Sequence, residues 1–220
     1  MSSTPSSHKL IIFDLDGTLV DTIKDLTFAV NEALASFGFG GRSCKEVTDF
    51  VGNGTLKLIE RALPEGKKDP ETVSAVHAAF TESYSRHYAD SSLPYAGMYE
   101  LVKELKERGF KLAVLSNKPD RFTRELVEKF FGGLFDVILG SSETTPRKPD
   151  PKGELSIIAG LGLAPEETLH IGDSDTDVMT AHNAGVKCVG CTWGFRSRET
   201  LERSGADFFA DKPSDILKAV

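Results

Sequence analysis

The chain has 220 residues, 40% hydrophobic, 27% charged and 9% aromatic, with a formal net charge of −7. That composition is globular, and the length suits one large domain or a core carrying an insertion. Three cysteines are too few for a disulfide framework, the apolar run Leu10–Phe13 is far too short to span a bilayer, and the acidic balance disfavours nucleic acid as a partner.

The opening stretch Met1–Ser7 is polar and is expected to be disordered. It lacks the charged start, apolar centre and cleavage site of a signal peptide, so a cytoplasmic protein without a membrane partner is expected. Lys9–Phe13 reads as a buried strand ending in Asp14. In Thr22–Phe37, Ile23, Leu26, Val30, Leu34 and Phe37 recur at helical spacing, and Gly38 to Gly41 stop the helix. Cys44–Val51, Thr55–Leu63 and Pro70–Tyr88 also read as helices, broken at Gly52-Asn53-Gly54 and at Pro64–Asp69. No strand is expected between Thr22 and Asp90. Beyond that point alternation returns: a helix around Met98–Leu105, strand Lys111–Leu115, helix Asp120–Phe131, strand Asp136–Leu139, helix Pro151–Leu161, strand Thr168–Ile171, helix Thr176–Ala184 and strand Val186–Gly190. Arg198–Val220 is expected to hold one or two short helices. Such alternation predicts an α/β fold, a Rossmann-like parallel sheet core with an inserted α-helical cap domain. Residues 1–18 and 93–220 would form the core and 19–92 the cap.

Phe13-Asp14-Leu15-Asp16-Gly17-Thr18 puts two carboxylates on one face at the carboxyl end of a strand, the edge where open α/β sheets bind ligands. Clustered carboxylates repel one another and call for a cation or a shared proton; the plainer reading is a strand-end capping turn. Gly172-Asp173-Ser174-Asp175-Thr176-Asp177 repeats the pattern before a helix. It is no EF-hand, because Val178 and Ala184 stand where that loop needs Gly and Glu. A metal site and an Asp-rich helix start both remain open here. Ser116-Asn117-Lys118 ends another strand with a hydroxyl, an amide and backbone N–H groups suited to phosphate oxygens, or to a simple cap. Pro146-Arg147-Lys148-Pro149 stiffens a loop around a lysine. Together these segments supply carboxylates for a hard cation and donors for an anion, the equipment of phosphoryl transfer.

In this order the segments resemble the motifs of the haloacid dehalogenase-like hydrolases, over Leu10 to about Trp193. The Thr18 that follows D-L-D-G favours the phosphatase-type members, and a helical cap between the first two motifs matches the family's first cap class. The resemblance implies Asp14 as nucleophile and Asp16 as acid and base. It implies Mg²⁺ held by Asp14, the backbone carbonyl of Asp16 and Asp173, with Asp177 behind them. Ser116, the Asn117 backbone and Lys148 would hold the phosphoryl oxygens.

Val51-Gly52-Asn53-Gly54, followed by Glu60-Arg61-Ala62-Leu63, looks like the cap of phosphoglycolate phosphatases. Gly52, Asn53 and Gly54 are therefore candidates for sensing the far end of the substrate as the cap closes over the phosphate site; a plain helix–helix turn is the alternative. Lys57 and Arg61 are candidates for cationic help or plain surface residues. Cys188 and Cys191 lack the helix start of a redox pair and the partner motif of a zinc site. His170 reads as packed and His182 as a helix-face residue; Trp193 and Phe195 read as core or rim. The expected activity is Mg²⁺-dependent hydrolysis of a small phosphorylated metabolite, phosphoglycolate first, by a monomer or homodimer. The rivals are a phosphomutase of the β-phosphoglucomutase type, a pyrophosphatase or nucleotidase, and a non-catalytic sugar-phosphate sensor.

Overall fold

The structure, a computed structural model, describes residues 8–220; the expected disorder of Met1–Ser7 lies outside the described residues. The elements run β1 Leu10–Phe13, β2 Val20–Asp21, α1 Ile23–Ser36, α2 Cys44–Phe50, α3 Thr55–Ala62, α4 Pro70–His87, β3 Leu93–Pro94 and α5 Met98–Glu107. They continue with β4 Lys111–Pro119, α6 Asp120–Phe131, β5 Val137–Ser141, α7 Lys152–Gly160, β6 Thr168–Gly172, α8 Asp175–Asn183, β7 Lys187–Cys191, α9 Arg198–Ser204 and β8 Phe208–Ala210. Short 3₁₀ turns cover Pro165–Glu167 and Pro213–Lys218. The chain divides into two compact units: the residues through Leu19 with Pro94–Val220, and Val20–Leu93.

The first unit is built on a six-stranded sheet in the order β5-β4-β1-β6-β7-β8, with every pair parallel. β1 is central because its residues are all apolar: a strand covered on both faces has no polar side to offer water. Its residues alternate between faces. Leu10 and Ile12 join Ala113, Leu115, Ile157, Ile158 and Val178 in one buried cluster. On the other face the Phe13 ring meets Phe135 edge-on at 6.0 Å. After β1 the chain builds β4 and β5 to one side and then crosses to β6 on the other. That reversal opens a crevice at the carboxyl ends of β4, β1 and β6.

Three features differ from the sequence expectation. β4 runs to Pro119 rather than Leu115, because its pairing with β5 resumes at Pro119–Ser141 after a register shift. Ser116–Lys118 are polar, so an apolar-run criterion stops short of them, yet they are buried. The tail contains a strand, β8, beside β7 as well as α9 and a 3₁₀ turn. β2 and β3 pair as a two-residue ribbon, too short to leave a periodic signal.

The second unit holds α1 to α4. Its core joins Leu26, Val30 and Leu34 of α1 to Val76, Phe80 and Tyr84 of α4, with the Phe80 and Tyr84 rings stacked at 5.5 Å. Ser43 and Glu46 form a capping box on α2, and Asp69 caps α4 ahead of Pro70. Buried Asp25 accepts the Ser91 and Ser92 N–H groups and the Ser92 hydroxyl, tying the end of the unit to its first helix.

Candidate active site

The motif residues of the first unit converge at the carboxyl edge of the sheet. Asp14 follows β1, Ser116–Lys118 end β4, Lys148 follows β5, and Asp173 follows β6. Asp177 lies in the first turn of α8. There the Ser174 hydroxyl accepts the Asp177 N–H, and Asp177 Oδ2 accepts the Ser174 N–H at 3.1 Å and its hydroxyl at 2.6 Å. This reciprocal cap aims the other Asp177 oxygen inward.

Lys148 is the hub. Its Nζ stands 2.5 Å from Asp177 Oδ1 and 2.9 Å from Asp14 Oδ1, the latter an ion pair without hydrogen-bond alignment. All three side chains are nearly or fully buried. Burial works against the Lys148 charge, but Asp14 and Asp177 outweigh it and raise its pKa. Burial likewise opposes the Asp177 charge, yet Lys148 and His170 hold that carboxyl well below the usual range. For Asp14 burial prevails over Lys148 and pushes the pKa up to about 6.

Asp173 has the least favourable position for a lone anion. Burial, then the charges of Asp177 and Asp14, push it up to about 8. Its Oδ1 accepts the Thr18 hydroxyl at 2.9 Å and its Oδ2 the Phe195 N–H at 2.7 Å. Glycines on both sides let the chain approach it. A Cβ at Gly17, whose φ is +90°, would stand 2.5 Å from Asp173 Oδ2, and one at Gly194 would stand 2.2 Å from Asp173 Cβ. Asp14, Asp173 and Asp177 each offer an oxygen within 4.8 Å of the others, an arrangement that can hold a metal ion. The fit is chemical as well as spatial. Asp14 and Asp173, raised chiefly by burial and further by neighbouring carboxylates, with Asp14 Oδ1 lacking a hydrogen-bond donor, suit a hard divalent cation.

The Asp16 carboxylate is gripped by Lys118, whose Nζ donates to both oxygens at 2.9 and 3.0 Å. The Ser116 hydroxyl accepts the Lys118 N–H at 3.2 Å. The Asn117 side chain holds the backbone of Lys148 at both ends, accepting its N–H at 2.6 Å and donating to its carbonyl at 3.0 Å. Sequence reasoning missed Lys118, Thr18 and the Phe195 N–H as partners, although Lys118 and Thr18 stand inside the motifs themselves.

His170 is packed, as expected, and it is flanked by the carboxylates of Glu154 and Asp177. Both it and Glu154 of α7 are fully buried. Burial lowers the His170 pKa, but Glu154 and Asp177 reverse that and push it up to about 9. Cys188 and Cys191 are buried thiols whose pKa burial raises far above the ordinary value, the opposite of a reactive pair. Trp193 donates its indole N–H to the Thr18 carbonyl at 3.1 Å.

Gly52, Asn53 and Gly54 lie in the helical unit. Arg61 clamps that loop, donating to the Phe50 carbonyl and to Asn53 Oδ1, both at 2.7 Å. Lys57 pairs with Glu60 on the exposed face of α3.

The haloacid dehalogenase-like hydrolase family model matches residues 11–191. Phosphoglycolate phosphatase 1 of Pseudomonas aeruginosa is 36% identical over 95% of this chain and 78% of its own length. Phosphoglycolate phosphatase of Vibrio parahaemolyticus is 34% identical over 99% and 98%. The crystal structure of a putative phosphoglycolate phosphatase from Lactobacillus delbrueckii superposes with a TM-score of 0.91 at 30% identity, covering 96% of this chain and 98% of that one. Among the described residues no helix is long and apolar enough to cross a membrane. The chain belongs to the haloacid dehalogenase-like hydrolases and is a phosphatase of that family.

Proposed function

We propose that the enzyme hydrolyses small phosphate monoesters with Mg²⁺, phosphoglycolate being the leading substrate, through an aspartyl phosphate on Asp14. The supporting observation is the convergence of Asp14, Lys148, Asp177 and Asp173 in one buried cluster at the strand ends. The names of the relatives support the substrate.

An Asp14 carboxylate oxygen forms a bond to phosphorus as the bond to the ester oxygen breaks. Asp16, in its protonated form, gives a proton to the departing alkoxide; it then takes one from the water that attacks phosphorus as the bond to Asp14 breaks, freeing the Asp14 carboxylate and inorganic phosphate. Lys148 offsets charge on the equatorial phosphoryl oxygens, with the Ser116 hydroxyl and Asn117 backbone as further donors. Asp14, the Asp16 carbonyl and Asp173 would hold Mg²⁺, which when bound shields the two reacting anions from each other. Asp177 keeps Lys148 in place.

In this reading residues 1–18 and 93–220 are the catalytic core, and the cap of 19–92 selects substrates through Gly52, Asn53 and Gly54. The enzyme acts in the cytoplasm as a monomer or homodimer. The test is phosphate release from a panel of esters with and without Mg²⁺. Release led by phosphoglycolate and lost on chelation is expected. No release from any ester removes the proposal, and an isomerised product in place of free phosphate would make the enzyme a mutase.

A further inference from the structure

The chemistry above leaves two buried ionisable side chains without a task. Glu154 on α7 and His170 on β6 are both fully buried. His170 Nδ1 lies 3.2 Å from Glu154 Oε2, and His170 Nε2 lies 3.5 Å from Asp177 Oδ1. These are ion-pair approaches rather than aligned hydrogen bonds: both imidazole nitrogens and both Glu154 oxygens lack a hydrogen-bond partner. The pair is therefore not there to satisfy the backbone around it. Its outlet is Asp177 Oδ1, the oxygen that Lys148 Nζ reaches at 2.5 Å, and Lys148 in turn stands 2.9 Å from Asp14. Glu154, His170, Asp177, Lys148 and Asp14 thus form one unbroken line of alternating acid and base.

Burying an additional ionic pair costs stability, and an apolar pair of similar volume often serves a core as well or better. What an apolar pair cannot do is hold a carboxylate oxygen. The Asp177 Oδ2 is fixed by Ser174; its Oδ1 faces Lys148 and His170. Without the imidazole, that oxygen and the ammonium it holds are free to shift as a pair away from Asp14.

We infer that Glu154 and His170 are positioning residues that fix Asp177 Oδ1 and, through it, keep the Lys148 ammonium against Asp14. The catalytic consequence rests on the phosphatase reading above; the placement of Lys148 does not. Orientation lost at a charge-stabilising group lowers kcat more than it raises KM.

The test pairs structure with kinetics in the double variant Glu154→Leu/His170→Phe. Crystal structures of wild type and variant give the separation of Lys148 Nζ from Asp14. Initial rates on phosphoglycolate give kcat and KM, and thermal unfolding reports the fold. The expected result is a folded variant with Nζ displaced from Asp14, KM within about twofold and kcat lower by on the order of tenfold or more. If Nζ keeps its separation, or moves with kcat unchanged, the inference is overturned. Should the double variant not fold, the isosteric Glu154→Gln carries the same readouts. A wild type inactive on every ester would sink the phosphatase reading, while the position of Nζ would still decide this one.

Discussion

Asp173 is the most informative carboxylate to neutralise. Its pKa stands at about 8 in the folded protein against an ordinary value of 3.8, with burial the largest cause and the charges of Asp177 and Asp14 next. The folded state therefore keeps a proton that the unfolded chain has lost. Stability from this group is complete below the ordinary value and is lost as pH rises toward 8. The slope is at most ~1.4 kcal/mol per pH unit, so between about pH 5 and pH 7 the metal-free protein loses up to roughly 3 kcal/mol. For a chain of this size that is on the order of 6–12 °C in Tm. Asp173→Asn keeps the shape and removes the titration. Its amide oxygen can still accept the Phe195 N–H, and its amide N–H can donate to the Thr18 hydroxyl, so the fixed cost is small at every pH. Thermal unfolding in chelator should show the variant gaining stability over wild type steadily as the pH rises from about 5 to about 8. Added Mg²⁺ should raise the wild-type Tm at the higher pH and leave the variant unmoved. Parallel Tm–pH curves for the two proteins, or an equal Mg²⁺ response, would show respectively that Asp173 does not hold a proton when folded or does not ligate the metal.

Asp16→Ala should slow turnover by on the order of 10²–10⁴ by removing the acid and base, as steady-state phosphate release reads. Gly172→Ala would place a Cβ 2.3 Å from the Asp177 Cβ, so both stability and kcat should fall, the former by about 1–3 kcal/mol in denaturant unfolding. Asn53→Ala removes the side-chain acceptor that Arg61 holds. It should alter KM or the ranking across the ester panel, and an unchanged ranking would leave the loop a plain turn.

The alternation of apolar runs with helical periodicity carried the parallel core, because fully covered strands are mainly apolar, as β1 is throughout and β6 is apart from Thr168 and His170. The aspartate motifs were legible for the same reason: each interrupts such a run at its end. The polar end of β4 was not, since Ser116–Lys118 are buried by partners rather than by apolarity. Those partners are distant in the chain. Lys118 meets Asp16 across 102 residues, Asn117 meets Lys148 across 31, and the Phe195 N–H meets Asp173 across 22. Local pattern contains no information about such pairings. His170 shows the limit most sharply: an apolar strand context correctly marks it as packed, but only the fold reveals that Glu154 and Asp177 flank its ring.

The role of Asp14 is tested most directly by acid-quenching the enzyme during turnover and mapping its peptides by mass spectrometry. One phosphoryl group on the peptide containing Asp14 is predicted, absent in Asp14→Asn along with turnover. A phosphoryl group on any other residue, or an Asp14→Asn variant with wild-type rates, would contradict the account.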